Sequence, residues 1–407
     1  MNKHSPRILY LASCWPHGRA FGGQLRTLQI GRALRKIGDV TLAVVSSEGT
    51  EESVVRKTAA EFRLEPQVRV DLAPNVGLVP RLRWALNPRF LNVHGCLADG
   101  LGRARLLNRL DDFDLVWVSN SRTANILNQW RWPRSVLDID DLPSTFERTV
   151  WQNSCGFKER LKAGARMVLL KRRELLLRER FAALAVCSEA DRQYLGGGSH
   201  IHVIPNGFER PSSEPRRDPS SPPRIGFIGL FSYPPNLEGV RWFVEECWRK
   251  IKTKVPDARL RLVGRDTDGT LKPGGLDIDG LGWVADPAAE IATWSAMVIP
   301  LRHGAGTRVK IADAFSRKCP VVSTRLGAFG YEVQHRQELL LADAPAEFAA
   351  ACISLIKEPA SGATMAERAF AAFLKNWTWD AIAPNVWAAA EDGLGKGRSL
   401  SEECPLP

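Results

Sequence analysis

The sequence has no apolar run long enough to cross a bilayer. Even Met167–Leu170 is hemmed in by Lys162, Arg166, Lys171, Arg172 and Arg173, far short of the ~18 apolar residues that a spanning helix needs. An apolar leader is missing too: Met1 passes through a charged stub straight into a strand-like run, so export is not expected. The eight cysteines (14, 96, 155, 187, 247, 319, 352 and 404) form no CxxC pair and no Cys/His cluster. That excludes a patterned zinc site or disulfide frame and reads as small core residues in a reducing compartment. A cytoplasmic location and no resident metal are the expectations. No short-period repeat, long low-complexity tract or nucleic-acid motif with interleaved stacking aromatics is present, so no nucleic-acid partner is expected.

What is present fits a soluble globular protein, with 44% apolar and 25% charged residues. A chain of 407 residues is too long for one ordinary core, and two domains are the natural expectation. The net charge of +11 points to a polyanionic partner, whether nucleic acid, a phosphorylated substrate or an anionic membrane, and does not choose among them.

Short β-rich runs alternate with helical patterns, as in βαβ units with parallel sheets. The first half predicts strands at Arg7–Ser13, Val40–Ser46, Asp114–Val118, Ser135–Asp138, Ala183–Cys187 and Ile201–Ile204. A helix is expected from near Gln24, with Thr27, Ile30, Leu34 and Ile37 at helical spacing. Glu209–Arg224 is rich in Pro and Ser and reads as a linker. Beyond it the alternation restarts, with strands at Arg224–Ile228, Arg259–Val263, Ala296–Ile299 and Val321–Ser323. The expected division is 1–208 as a first Rossmann-like domain, 209–224 as linker, and 225–377 as a second. A C-terminal helix at 378–395 returns to the first domain, and 396–407 is a tail.

The most informative stretch is Ile299–Thr324, IPLRHGAGTRVKIADAFSRKCPVVST. A strand ends at Pro300, a loop carries Gly304 and Gly306, and a helix opens near Arg308. Glycines let a backbone approach a phosphate, and the helix start adds free N–H groups. Thr307 offers a hydroxyl, Arg308 and Lys310 can neutralise a diphosphate, and Asp313 can accept from a ribose diol. A lone glycine pair with basic neighbours is ordinarily just a solvated turn; the whole assembly points to a site.

This stretch resembles the donor site of glycosyltransferase family 4, whose members often read G-G-G-T-R-x-K-x-x-E-A-x-x-x-G-x-P-V-V-S-T. The early FGGQLRTLQIGRALRKIGDV, VIPNGF, GFIGLFSYPPN, LRLVGR, GLGWVAD and NWTWD agree with the family in order and spacing. The resemblance covers nearly the whole chain and is weakest from Glu48 to Asp112. It implies a GT-B fold, two Rossmann-like domains with parallel sheets facing a central cleft. It further implies an acceptor in the first domain, a nucleotide sugar mainly in the second, and transfer with retention and no obligatory metal. By the same resemblance Gly22 and Gly23 present backbone amides to the donor diphosphate.

The departures from the family matter. Of the two glutamates usual there, the second position holds Asp313 and the first holds Ala305. The usual Arg and Lys after the first strand of the second domain are replaced by Leu230–Asn236, without a cation, so neutralisation shifts to Arg308 and Lys310, helped by Arg302. Lys318 and Cys319 stand where glycine is usual.

Among other candidates, Asp138, Asp140 and Asp141 read first as a strand end and turn, and Asp138 also as an acceptor or sugar contact. His303 abuts the phosphate loop and is a second sugar-contact candidate; His94 reads as structural. Two segments, Arg81–Arg109 and Lys158–Arg180, interleave cations with aliphatics as interfacial helices do, which suggests peripheral attachment to an anionic membrane. The expected activity is hexosyl transfer to a glycan or lipid-linked acceptor in cell-surface or exopolysaccharide biosynthesis. The alternatives are a nucleotide-sugar 2-epimerase of the same fold and a non-catalytic nucleotide-sugar-binding protein.

Overall fold

The computed structural model describes residues 5–16, 22–72, 77–91, 96–154, 156–267 and 277–395. The chain forms two compact units. Residues 1–148, 161–204 and 383–407 make unit 1, and residues 149–160 and 205–382 make unit 2.

Unit 1 is built on one sheet. Its strands are β1 (Arg7–Ala12), β2 (Asp39–Ser46), β3 (Arg63–Leu64), β4 (Val68–Leu72), β5 (Cys96–Ala98), β6 (Leu115–Ser119), β7 (Trp132–Ile139), β8 (Phe181–Val186) and β9 (Ile201–Val203). They lie in the order β5-β4-β2-β1-β6-β7-β8-β9, with β3 also paired to β2. Among the described pairings only β4 with β5 is antiparallel. The β1 run RILYLA is buried on both faces after Arg7, the pattern expected of a parallel strand covered by helices on each side.

Unit 2 carries a second sheet, of β10 (Arg224–Ile228), β11 (Arg259–Val263), β12 (Ile278–Gly280), β13 (Trp294–Ile299), β14 (Val321–Ser323) and β15 (Leu340–Leu341). Its order is β12-β11-β10-β13-β14-β15, and the described pairings are parallel. Tightly packed aromatics fill its core, with Phe243 edge-on to Phe348 at 5.6 Å. In each sheet the strand order reverses beside the first strand, between β1 and β6 and between β10 and β13. Loops leaving the carboxyl ends of the two strands at such a switch point diverge and leave a crevice for ligand.

The strands expected from β-rich runs are present with end shifts of a few residues. The short β3, β4, β5, β12 and β15 were not foreseen. The segment 209–224 is held along unit 2: Asp218 N donates to Ala292 O at 3.0 Å, and Ser220 N to Thr293 O at 3.0 Å. Lys318 Nζ reaches both Glu214 and Glu367. Lys318 itself sits at φ 52° where the helix Val309–Ser316 stops, a left-handed position that favours glycine.

The last helix, Trp379–Gly395, gives unit 1 its residues from Ala383 onward. Trp387 Nε1 donates to Ala33 O at 2.9 Å, Asn385 Nδ2 to Val203 O at 3.0 Å, and His202 Nε2 lies 2.8 Å from Asp392 Oδ2. A side chain at Gly393 would meet Leu115 Cδ1 at 2.6 Å, so glycine is what permits this close crossing.

Candidate donor site

At the switch point of the second sheet, two loops leave neighbouring strands. The loop after β10 runs through Gly229 into the helix Pro234–Trp242, and the loop after β13 runs from Pro300 to the helix Val309–Ser316. The first helix comes so close to Pro300 that a Cβ at Gly239 would stand 2.7 Å from the Pro300 carbonyl oxygen. Gly229 and Gly264 approach even more closely, and Gly264 takes φ +136°, which a side chain would strain.

The second loop is braced at several points. Gly304 N donates to Thr149 Oγ1 at 3.1 Å, and Asn153 Nδ2 to Arg302 O at 2.6 Å. Asn206 N donates to Thr307 Oγ1 at 3.1 Å. Tyr331 Oη lies 3.1 Å from Asn206 O and 3.0 Å from Arg308 O. Thr307 therefore has its hydroxyl oxygen engaged by the VIPNGF turn.

Within this frame the sequence candidates come together unequally. Gly304 has φ +136° and Gly306 φ +70°. A Cβ at Gly304 would lie 2.3 Å from Arg308 Nη2, so the guanidinium's close approach to this backbone needs a glycine. Arg308 Nη1 donates to Ala305 O, while its Nε and Nη2 are buried without a hydrogen-bond partner among the described residues. Buried donors of a cation are costly to leave unmatched. Ala305, standing where the family's first glutamate would be, thus contributes only its carbonyl.

Lys310 Nζ donates to Asn236 Oδ1 at 3.0 Å and stands 5.3 Å from the Phe227 ring centre. Asn236 Nδ2 in turn donates to Leu230 O at 2.7 Å. The cation-free loop Leu230–Asn236 thus holds the lysine through an amide. Burial, and next the positive charge of Arg308, bring the Lys310 ammonium down to about 8. Asp313 is buried, and its Oδ1 accepts from Arg317 Nε at 2.6 Å. His303 Nδ1 lies 2.8 Å from Glu238 Oε2, without hydrogen-bond geometry. Arg302 is exposed, with its guanidinium 5.7 Å from the Trp242 ring centre.

In unit 1, Gly22 and Gly23 form the first turn of the helix Gly22–Arg35, two residues earlier than expected from spacing. Gly23 is exposed with open space about it. Asp138 ends the apolar run of β7, and both its oxygens accept from Arg26, at 2.6 and 3.1 Å. Arg26 Nη1 also donates to Ile204 O at 3.0 Å. Asp140 Oδ1 lies 3.3 Å from Cys187 Sγ. His94 lies outside the described residues. Among the described residues no group of His, Cys, Asp and Glu is arranged to hold a metal ion, and no helix is long and apolar enough to cross a membrane.

These two parallel-sheet α/β units define a GT-B fold. Residues 222–358, which include the loops after β10 and β13 with Asn236, Gly304, Arg308, Lys310 and Asp313, match the family model of the glycosyl transferases group 1. The chain is similar to sucrose-phosphate synthase from Thermosynechococcus elongatus, at 16% identity and a TM-score of 0.63, over 93% of this chain and 96% of that one. It is also similar to Anabaena HepE, solved with UDP-glucose, at 16% identity and a TM-score of 0.60, over 94% of this chain and 98% of that one. A stretch of 161 residues is 27% identical to an uncharacterized 44.6 kDa protein in the cps region of Klebsiella pneumoniae, covering 37% of this chain and 42% of that protein. The family match supports a glycosyltransferase domain at residues 222–358, and the neighbours share the fold.

Proposed function

We propose that this protein is a retaining hexosyltransferase that moves a sugar from a nucleoside-diphosphate sugar to a glycan or lipid-linked acceptor, in the assembly of a cell-surface or exopolysaccharide. The observation that carries the reading is the pair of unmatched buried donors on Arg308, beside Gly304 and Lys310, at the switch point of the unit that matches the family model. A diphosphate supplies the anionic oxygens such a cradle lacks. The nucleotide seen in HepE supports the donor class, and the cps-region relative supports the pathway.

In the reaction the bond from the anomeric carbon to the diphosphate oxygen breaks, and the acceptor oxygen bonds to that carbon. The acceptor's proton leaves with the diphosphate. Arg308 and Lys310 hold the charge that builds on the leaving group, with backbone amides at the start of the helix Val309–Ser316 adding to them. No metal ion is required in this scheme, because the two cations take that role. The protein acts in the cytoplasm, at an anionic membrane surface it does not span.

Incubation with radiolabelled nucleoside-diphosphate sugars and crude glycolipid tests the reading. Label transferred to acceptor supports it, and persists in EDTA. Recovery of a donor epimer, or donor binding without turnover, would replace it with one of the two alternatives.

A further inference from the structure

The helix Leu78–Leu86 has none of its residues buried. Leu78, Val79, Leu82 and Leu86 are 72, 75, 52 and 77% exposed. At 3.6 residues per turn these four fall within an arc of about 100°. Arg81 and Arg83 flank that arc on either side, and Trp84 lies on the opposite face. An ordinary surface helix turns its apolar arc to the core. Here the arrangement is inverted.

The inverted orientation is fixed from within unit 1. The Arg173 guanidinium lies 4.2 Å from the Trp84 ring centre. It donates to the Trp84 carbonyl, to Asn87 O at 3.0 Å, to Pro88 O at 2.8 Å and to Phe90 O at 2.9 Å. One cation therefore binds the helix end and the turn after it through the face away from the leucines. Arg83 packs on Phe90 at 4.8 Å, and Arg89 meets Glu179 at 3.2 Å. No acidic residue occurs from Gly77 to Leu91.

We propose that this helix is the membrane-docking element of the protein, lying in the interface of an anionic bilayer. Its leucine face enters the acyl boundary, and Arg81 and Arg83 engage lipid phosphates. The occupant follows from charge and shape. A protein groove would need a partner both apolar and acidic along its edges, whereas an anionic leaflet offers an apolar layer beneath a plane of phosphates. Arg173 is the positioning residue that keeps the leucines outward. This deepens the proposed action at a membrane surface and rests on that reading, but not on sugar transfer.

The test uses the full-length chain with vesicles of phosphatidylcholine alone or with about 30% phosphatidylglycerol. The wild type should sediment with the anionic vesicles at low salt and stay in solution with the neutral ones. Combined Leu78→Ser, Leu82→Ser and Leu86→Ser should lower the partition at least about tenfold, with an unchanged unfolding temperature. Combined Arg81→Gln and Arg83→Gln should weaken binding and flatten its salt dependence. If the wild type binds and the serine variant binds equally, attachment is elsewhere and the assignment of this helix is overturned. If the wild type ignores anionic vesicles, the membrane reading itself fails. Light scattering is run in parallel: a wild-type dimer that the serine variant converts to monomer, with vesicle partition unaltered, would make the stripe a self-association face instead.

Discussion

Burial and the Arg308 guanidinium bring Lys310 down to about 8 from 10.5, so its charge is lost within an accessible pH range. A diphosphate at Nζ favours the protonated form, and binding should draw the proton back. Donor affinity should therefore fall as pH rises above about 8, with proton uptake on binding seen by calorimetry in buffers of different ionisation enthalpy. In Lys310→Met both effects should vanish. An unaltered pH profile in that variant would remove Lys310 from the donor site. For folding the sign is opposite. Between about 8 and 10.5 the unfolded chain binds more protons than the folded one, so the lysine's penalty on stability is relieved as pH rises through that window. Arg308 does not share this behaviour, since a guanidinium stays charged throughout. Arg308→Ala should weaken donor binding at every pH by ~1.5–3 kcal/mol, the worth of a charged hydrogen bond, measured by titration calorimetry.

At the scale of elements, the helix Gly22–Arg35 is tied to β7 and to the chain beyond β9 by one side chain. Arg26 and Asp138 form a buried pair at 2.6 Å, and Arg26 also meets Ile204 O. Removing one member strands a buried charge, so Arg26→Ala should lower unfolding free energy by ~3–5 kcal/mol, read by denaturant titration. Asp138→Asn should destabilise as well. If instead it unfolds like the wild type while transfer is lost, the carboxylate acts on substrate. Such pairings mark the limit of sequence reading. The loop Ile299–Lys310 was legible because its glycines, cations and helix start are contiguous. The Lys310–Asn236 bond joins positions 74 apart, and Arg26–Asp138 joins positions 112 apart. Neither has a local signal, and neither do the braces at Thr149 and Asn153. β3 and β5, of two and three residues, are too short for periodicity to register. Lys318 shows the converse: the sequence marks it only as a residue standing where glycine is usual. Only the fold reveals that a left-handed lysine pairs with Glu214 and pins the Pro- and Ser-rich segment.

Over the whole molecule the chain is interwoven, with unit 1 drawn from three stretches and unit 2 from two. Cutting at the Pro- and Ser-rich segment therefore does not separate two complete folds. A fragment of residues 1–208 lacks the helix from Ala383. It would expose the surface that Val386, Ala389 and Ala390 bury. It would also lose the bonds at Ala33 O and Val203 O and the pair with His202. Folded domains keep only a small margin of stability, so this fragment should fail to unfold cooperatively in calorimetry. Fusing residues 378–395 to it through a flexible linker should restore a cooperative transition. The complementary fragment, residues 205–382, retains the second sheet and both site cations. What it lacks is Thr149 and Asn153, which brace the donor loop at Gly304 and Arg302. It should fold, yet bind nucleotide less tightly than the full chain, because the loop must then be ordered at the moment of binding. Cooperative unfolding of residues 1–208 at the wild-type temperature would show that the C-terminal helix is an ornament of unit 1. Full nucleotide affinity in residues 205–382 would show that the loop orders itself.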